Sequence, residues 1–133
     1  GIGRGFYTES DLEALNCQLH KYLLDDHGVD IAGFYHCPHH PSEALGHWRQ
    51  VCACRKPAPG MIEQACAELH LNPSSSLMVG DKVSDMEAGQ AAGVGQLFRV
   101  VSPAMKRDAS NSGAAKEGVV FVNGLPAVAR IVA

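Results

Sequence analysis

The stretch Ser76–Gly95, SLMVGDKVSDMEAGQAAGVG, decides the fold. Leu77, Met78 and Val79 show no polar alternation, the pattern of a parallel strand covered on both faces. Gly80 and Asp81 end that strand. A helix is predicted from Ser84 to Ala92, with Gly93 closing it. Gln96–Val101 (QLFRVV) is the next predicted strand.

The same alternation extends outward in both directions. Thr8 is a candidate N-cap for a helix over residues 9–26, in which Leu12, Leu15, Leu19, Tyr22 and Leu23 recur at helical spacing and Gly28 is the stop. Ile31–His36 (IAGFYH) is a short strand candidate. Pro59 at the first helical position opens a second helix through Met61, Ile62, Ala65, Cys66 and Leu69, and Asn72-Pro73-Ser74-Ser75 breaks it. Ser102–Gly118 is polar and expected to be a mobile loop. Val119–Val122 is a last strand and Leu125–Val132 a last helix. Alternating helices and strands predict an α/β, Rossmann-like three-layer fold with a mostly parallel sheet, in one domain spanning residues 1–133.

A second stretch carries chemistry of another kind. His36–Met61, HCPHHPSEALGHWRQVCACRKPAPGM, holds three of the five cysteines and four of the seven histidines. Cys37 and His39 form one C-x-H knuckle; Cys52 and Cys54 form a C-x-C knuckle twelve residues further on. Two such pairs facing each other supply the four soft donors of a tetrahedral zinc site. His40, next to His39, is the alternative nitrogen donor. Four protein ligands leave no open position, so this zinc loop, residues 37–54, reads as structural, and the metal would supply much of its order.

Composition bounds the remaining possibilities. The chain has 133 residues, 46% of them hydrophobic, and a formal net charge of −3. That charge gives no basis for a nucleic-acid or membrane-surface partner. No apolar run approaches the roughly 18 residues of a membrane span, and the opening GIGRGFYTES, neither basic nor apolar, leads to the expectation of a protein without a secretory leader. Cys17 and Cys66 fall in predicted helices and read as small buried residues. Cysteine usage of this kind fits a reducing cytoplasm.

In an open α/β sheet the site lies beyond the carboxyl ends of the strands. Asp81, Lys82 and Asp85 fall there. Asp81 follows its strand directly, and a hard carboxylate at that place suits Mg²⁺. Asp85, one helical turn on, either ligates as well or caps the helix and orients its neighbours. Arg55 and Lys56 end the zinc loop and form a cationic pair suited to phosphate oxygens. Alone, each of these residues would be an ordinary turn residue or solvated charge.

Together the motifs resemble one family. VCACRKPAPGM followed by LMVGDKVSDMEAGQAAGV is similar to the second half of a haloacid-dehalogenase (HAD) superfamily phosphatase. With CPHHP, it resembles in particular the zinc-containing heptose 1,7-bisphosphate 7-phosphatases. The resemblance runs from GIGRG almost to the last strand. It implies a HAD fold and hydrolysis of a sugar phosphomonoester through an aspartyl-phosphate, in the service of lipopolysaccharide core heptose synthesis. It implies catalytic roles for Lys56, which steadies the phosphoryl group, and for Asp81, which binds Mg²⁺. Arg55 and Lys82 would contact substrate alongside Lys56, Asp85 would support the loop, and Cys37, His39, Cys52 and Cys54 would hold structural zinc. The implied partner is a small phosphorylated sugar, and the full-length protein is expected to be a monomer in the cytoplasm.

One departure from the family is severe. Its nucleophile and acid/base pair lie in a D-x-D-G-T-like segment after the first strand, and no D-x-D occurs in these 133 residues. The resemblance therefore predicts a chain truncated at its N-terminus, without the family's first two strands, and inactive by itself, with strand edges and apolar faces left uncovered. Three functional readings follow: a heptose-bisphosphate phosphatase whose nucleophile lies outside this chain, a phosphatase for histidinol phosphate or another small phosphomonoester, and a non-catalytic zinc-stabilised remnant.

Overall fold

The computed structural model describes residues 1–101 and 118–132. Its contacts form two compact units, Gly1–Arg55 and Lys56–Ala133. The segment expected to be a mobile loop lies, apart from Gly118, outside the described residues.

The first unit contains one long helix, α1 (Glu9–His27). Thr8 and Asp11 cap it reciprocally: the Thr8 Oγ1 accepts the Asp11 amide at 3.1 Å, and Asp11 Oδ2 accepts the Thr8 amide at 2.8 Å. Such a box satisfies two of the amides that a helix start leaves open. Gly28 ends α1 at φ +65, a left-handed position that costs glycine little. No α1 residue is buried; Leu15, Leu19 and Tyr22 are all largely exposed. Cys17 is exposed as well, against the sequence expectation, because it lines an open groove between α1 and Phe34 rather than a packed interface.

The Ile31–His36 strand does not form. Residues 29–40 have no regular secondary structure. A strand exists only when a neighbour takes up its backbone hydrogen bonds, and all three described strands belong to the other unit. The rest of the first unit is a 3₁₀ turn at Ile2–Arg4, a second at Gly46–Trp48, and the loop between them. Leu45 donates its amide to the Gly3 carbonyl at 2.7 Å, and Arg49 Nε donates to the Ala44 carbonyl at 2.8 Å. These bonds pin the loop around the fully buried Ala44.

The second unit is α/β. Helix α2 (Gly60–Glu68) is followed by β1 (Leu77–Gly80), α3 (Val83–Ala91), β2 (Gln96–Val100), β3 (Val119–Val122) and α4 (Leu125–Val132). Pro59 stands just before the first helical residue rather than in it, and α3 begins one residue earlier than predicted. The three strands are parallel in the order β1-β2-β3. The predicted strand at 77–79 is present, but it is not buried on both faces: among the described strands it stands at the edge, and Leu77 is 47% exposed. Burial falls instead on the middle strand, where Leu97, Phe98 and Arg99 are all nearly inaccessible. Phe98, Val122 and Val128 form the core, with Val79, Val100 and Ala127 against it. Cys66 on α2 is half-buried rather than buried, since α2 turns only part of its surface inward. No described helix is long and apolar enough to cross a membrane.

Candidate phosphate and metal sites

The carboxyl end of β1 carries the first site, in the second unit. The chain leaves the strand at Gly80 and enters α3 at Val83. Between them, the amides of Asp81 and Lys82 both donate to Asp85 Oδ2, at 3.2 and 2.9 Å. An acidic residue in the first turn of a helix satisfies open amides and opposes the helix dipole favourably. The other oxygen, Oδ1, faces Lys56 Nζ at 2.6 Å, an ion pair not aligned as a hydrogen bond. Asp85 is 4% exposed. Its burial would raise the carboxyl pKa; the Lys56 ammonium and the Lys82 and Asp81 amides outweigh this and hold it below the usual carboxylate range.

Sequence reasoning left two roles open for Asp85. Its oxygens are committed to two amides and an ammonium, so it orients its neighbours. Asp81 is different: it is exposed, and its backbone is held by Asp85 and Arg99. An exposed carboxylate directly after a parallel strand fits Mg²⁺, which keeps most of its waters and takes one or two protein carboxylates. Lys82 is also exposed at this edge.

Two residues of this site escaped sequence reasoning. A Cβ at Gly80 would lie 2.7 Å from Asp85 Oδ2, inside the space the carboxylate occupies. Arg99 on β2 is 3% exposed, and its Nε donates to the Asp81 carbonyl at 3.4 Å. Its signal was a single charge within the apolar run QLFRVV.

The second site, in the first unit, is the Cys/His cluster. The donor atoms of Cys37, His39, Cys52 and Cys54 all lie within 4.8 Å of one another. Cys37 and Cys52 sulfurs are 3.5 Å apart, Cys52 and Cys54 3.3 Å, Cys37 and Cys54 2.8 Å, and His39 Nδ1 is 3.4 Å from Cys54. A tetrahedron with zinc–sulfur bonds of about 2.3 Å has edges of about 3.8 Å; most of the donor separations are within about 0.5 Å of that, and the Cys37–Cys54 pair is tighter. His39, not His40, reaches the sulfurs. The His40 Nδ1 turns into the next turn and accepts the Glu43 amide at 3.0 Å.

The thiols crowd one another. Burial, reinforced by Cys37 and Cys52, pushes the Cys54 thiol up to about 12. For Cys52 burial acts the same way, but hydrogen bonds from Cys54 and Cys37 outweigh it and bring that thiol down to about 7. A divalent cation would relieve this competition for protons, and three sulfurs with one imidazole nitrogen suit zinc. Trp48 lies 5.6 Å from the His39 ring and covers one side. Arg55, directly after Cys54, donates through Nη1 to the His39 carbonyl at 2.8 Å and so ties the two knuckles together.

The second unit thus combines a parallel sheet with a lysine-paired aspartate and a second, exposed aspartate at a strand's carboxyl end, the layout of an α/β protein with its site beyond the strand ends. Residues 53–122 match the HAD-hydrolase-like family, and the chain belongs to that family. Over 95 residues it is 48% identical to the D-glycero-beta-D-manno-heptose-1,7-bisphosphate 7-phosphatases of Salmonella typhi and of Escherichia coli K12. Those matches cover 71% of this chain but 50% and 49% of the relatives, so the chain spans about half their length. The crystal structure of D,D-heptose 1.7-bisphosphate phosphatase from B. bronchiseptica, complexed with magnesium and phosphate, superposes with a TM-score of 0.80 at 27% identity. It covers 99% of this chain and 68% of its own.

Proposed function

We propose that this chain is part of a magnesium-dependent phosphatase acting on a small phosphorylated sugar, with the 7-phosphate of D-glycero-D-manno-heptose 1,7-bisphosphate as substrate. One observation carries the reading: buried Asp85 at the end of β1 holds Lys56 through one oxygen and the amides of exposed Asp81 and Lys82 through the other. The kinship with heptose-bisphosphate phosphatases supports the choice of sugar.

Each residue has a role in this reading. Lys56 neutralises the transferring phosphoryl oxygens, its ammonium aimed by Asp85. Asp81 holds Mg²⁺, which would supply charge neutralisation at the phosphoryl group. Lys82 adds a cation near the phosphate, and Arg55 contributes to substrate choice. Cys37, His39, Cys52 and Cys54 bind a structural zinc. The nucleophilic aspartate comes from the portion of the relatives that this chain does not match. Both compact units serve one phosphatase domain, which works as a cytoplasmic monomer.

The test is phosphate release from heptose 1,7-bisphosphate and from histidinol phosphate. Two proteins are compared: this chain, and a longer one that adds an in-frame D-x-D segment upstream. Magnesium-dependent release by the longer protein alone, faster on the heptose, is expected. Equal or faster hydrolysis of histidinol phosphate would overturn the substrate assignment. Turnover by the 133-residue chain would overturn the placement of the nucleophile.

A further inference from the structure

The buried charged side chains among the described residues are Asp85 and Arg99, and they grip one peptide group from opposite sides. The N–H of the Asp81–Lys82 peptide donates to Asp85 Oδ2 at 2.9 Å. Its carbonyl accepts from Arg99 Nε at 3.4 Å. Arg99 reaches it because β2 lies parallel to β1, with Arg99 in register with Gly80, the residue before Asp81. Its guanidinium carbon stands 5.8 Å over the ring of Phe121, its neighbour on β3.

An inward position on the middle strand of a sheet normally goes to an apolar residue, since a buried guanidinium must have its donors used to be tolerated. Here one of those donors, Nε, reaches the carbonyl of the turn that carries Asp81. We infer that Arg99 is a positioning residue for Asp81. By fixing the Asp81–Lys82 peptide it sets the direction in which the Asp81 carboxylate leaves the sheet, and thereby the affinity of the site for Mg²⁺. The inference rests on the reading of Asp81 as the magnesium ligand.

The experiment is a Mg²⁺ titration of this chain followed at the backbone amides by NMR, with amide hydrogen exchange recorded in the absence of metal. Wild type, Arg99→Met and Arg99→Lys are compared; methionine keeps the bulk and lysine keeps the charge. In wild type the Asp81 and Lys82 amides shift saturably. In Arg99→Met the half-saturating Mg²⁺ rises by roughly threefold to tenfold, the loss expected for one hydrogen bond at the site. Exchange of the Lys82 amide quickens while Phe98 and Val122 keep their protection. Arg99→Lys recovers part of the affinity. Wild-type Mg²⁺ affinity in Arg99→Met would overturn the inference, as would equal loss of protection at Lys82, Phe98 and Val122, which marks a merely structural role. If the wild-type Asp81 amide ignores Mg²⁺, the metal reading falls, and unchanged Lys82 exchange in Arg99→Met would then overturn the positioning role separately.

Discussion

Lys56 and Asp85 stand 29 positions apart in sequence, and their Nζ and Oδ1 atoms meet at 2.6 Å. Asp85 is buried while the Lys56 side chain is 41% exposed. The carboxylate is therefore the fixed partner, and the ammonium keeps a face free for a ligand.

That pairing sets a pH dependence. The folded Asp85 carboxyl is held below its ordinary value of about 3.9. Its contribution to stability is thus fully present above that value and is lost as pH falls through the lower, folded one. Urea unfolding of wild type and Asp85→Asn should show a constant gap from pH 7 to about pH 5 that narrows in more acid solution. A gap that widens in acid would show that the folded carboxyl is raised.

Removing the lysine should act on the aspartate. In Lys56→Met the buried Asp85 keeps its two amide donors but loses its counter-charge, so its pKa should rise from the wild-type value. Carboxyl-carbon NMR titration reads this directly. An unchanged titration would mean that the two amides alone hold Asp85 ionised.

Gly80 is required for space. A methyl group there would occupy the position of the Asp85 carboxylate, so Gly80→Ala should cost about 1–3 kcal/mol, as overpacking does. Amide exchange should also quicken at Asp81 and Lys82. Stability equal to wild type would show that Asp85 can be displaced without loss.

Zinc should be stoichiometric and protective. In the loaded chain a thiol reagent should modify the exposed Cys17 quickly and the half-buried Cys66 slowly. Chelation should release Cys37, Cys52 and Cys54 as well and change the fluorescence of Trp48, the single tryptophan. Five equally reactive thiols before chelation would refute a bound metal.

The two adjacent histidines should part company. His39→Ala should lose zinc, because its Nδ1 is the nitrogen among the sulfurs. His40→Ala should keep the metal and lose the side-chain contacts with Ser42 and Glu43. Metal content by mass spectrometry under native conditions separates them; equal zinc loss in both would remove the distinction.

Much of this protein was legible along the chain, where the deciding forces act over a few residues. The Thr8 cap and the Gly28 stop follow from local backbone geometry. The strand at 119–122 and the helix at 125–132 are found where their residues predict them. The Cys/His cluster follows from ligand type and knuckle spacing, and its four donor atoms converge. The tertiary structure alone decided the rest. Ile31–His36 has strand-like residues but no described neighbour for its backbone. Asp85 became an anchor rather than a free ligand because Lys56 and two amides claim its oxygens. His39 took precedence over His40 through the path of the loop. Arg99 was drawn beneath Asp81 by the register of β2 against β1. In each case the outcome depends on a partner brought close by the fold: burial and hydrogen bonding are settled by neighbours in space, and a residue's type cannot name them.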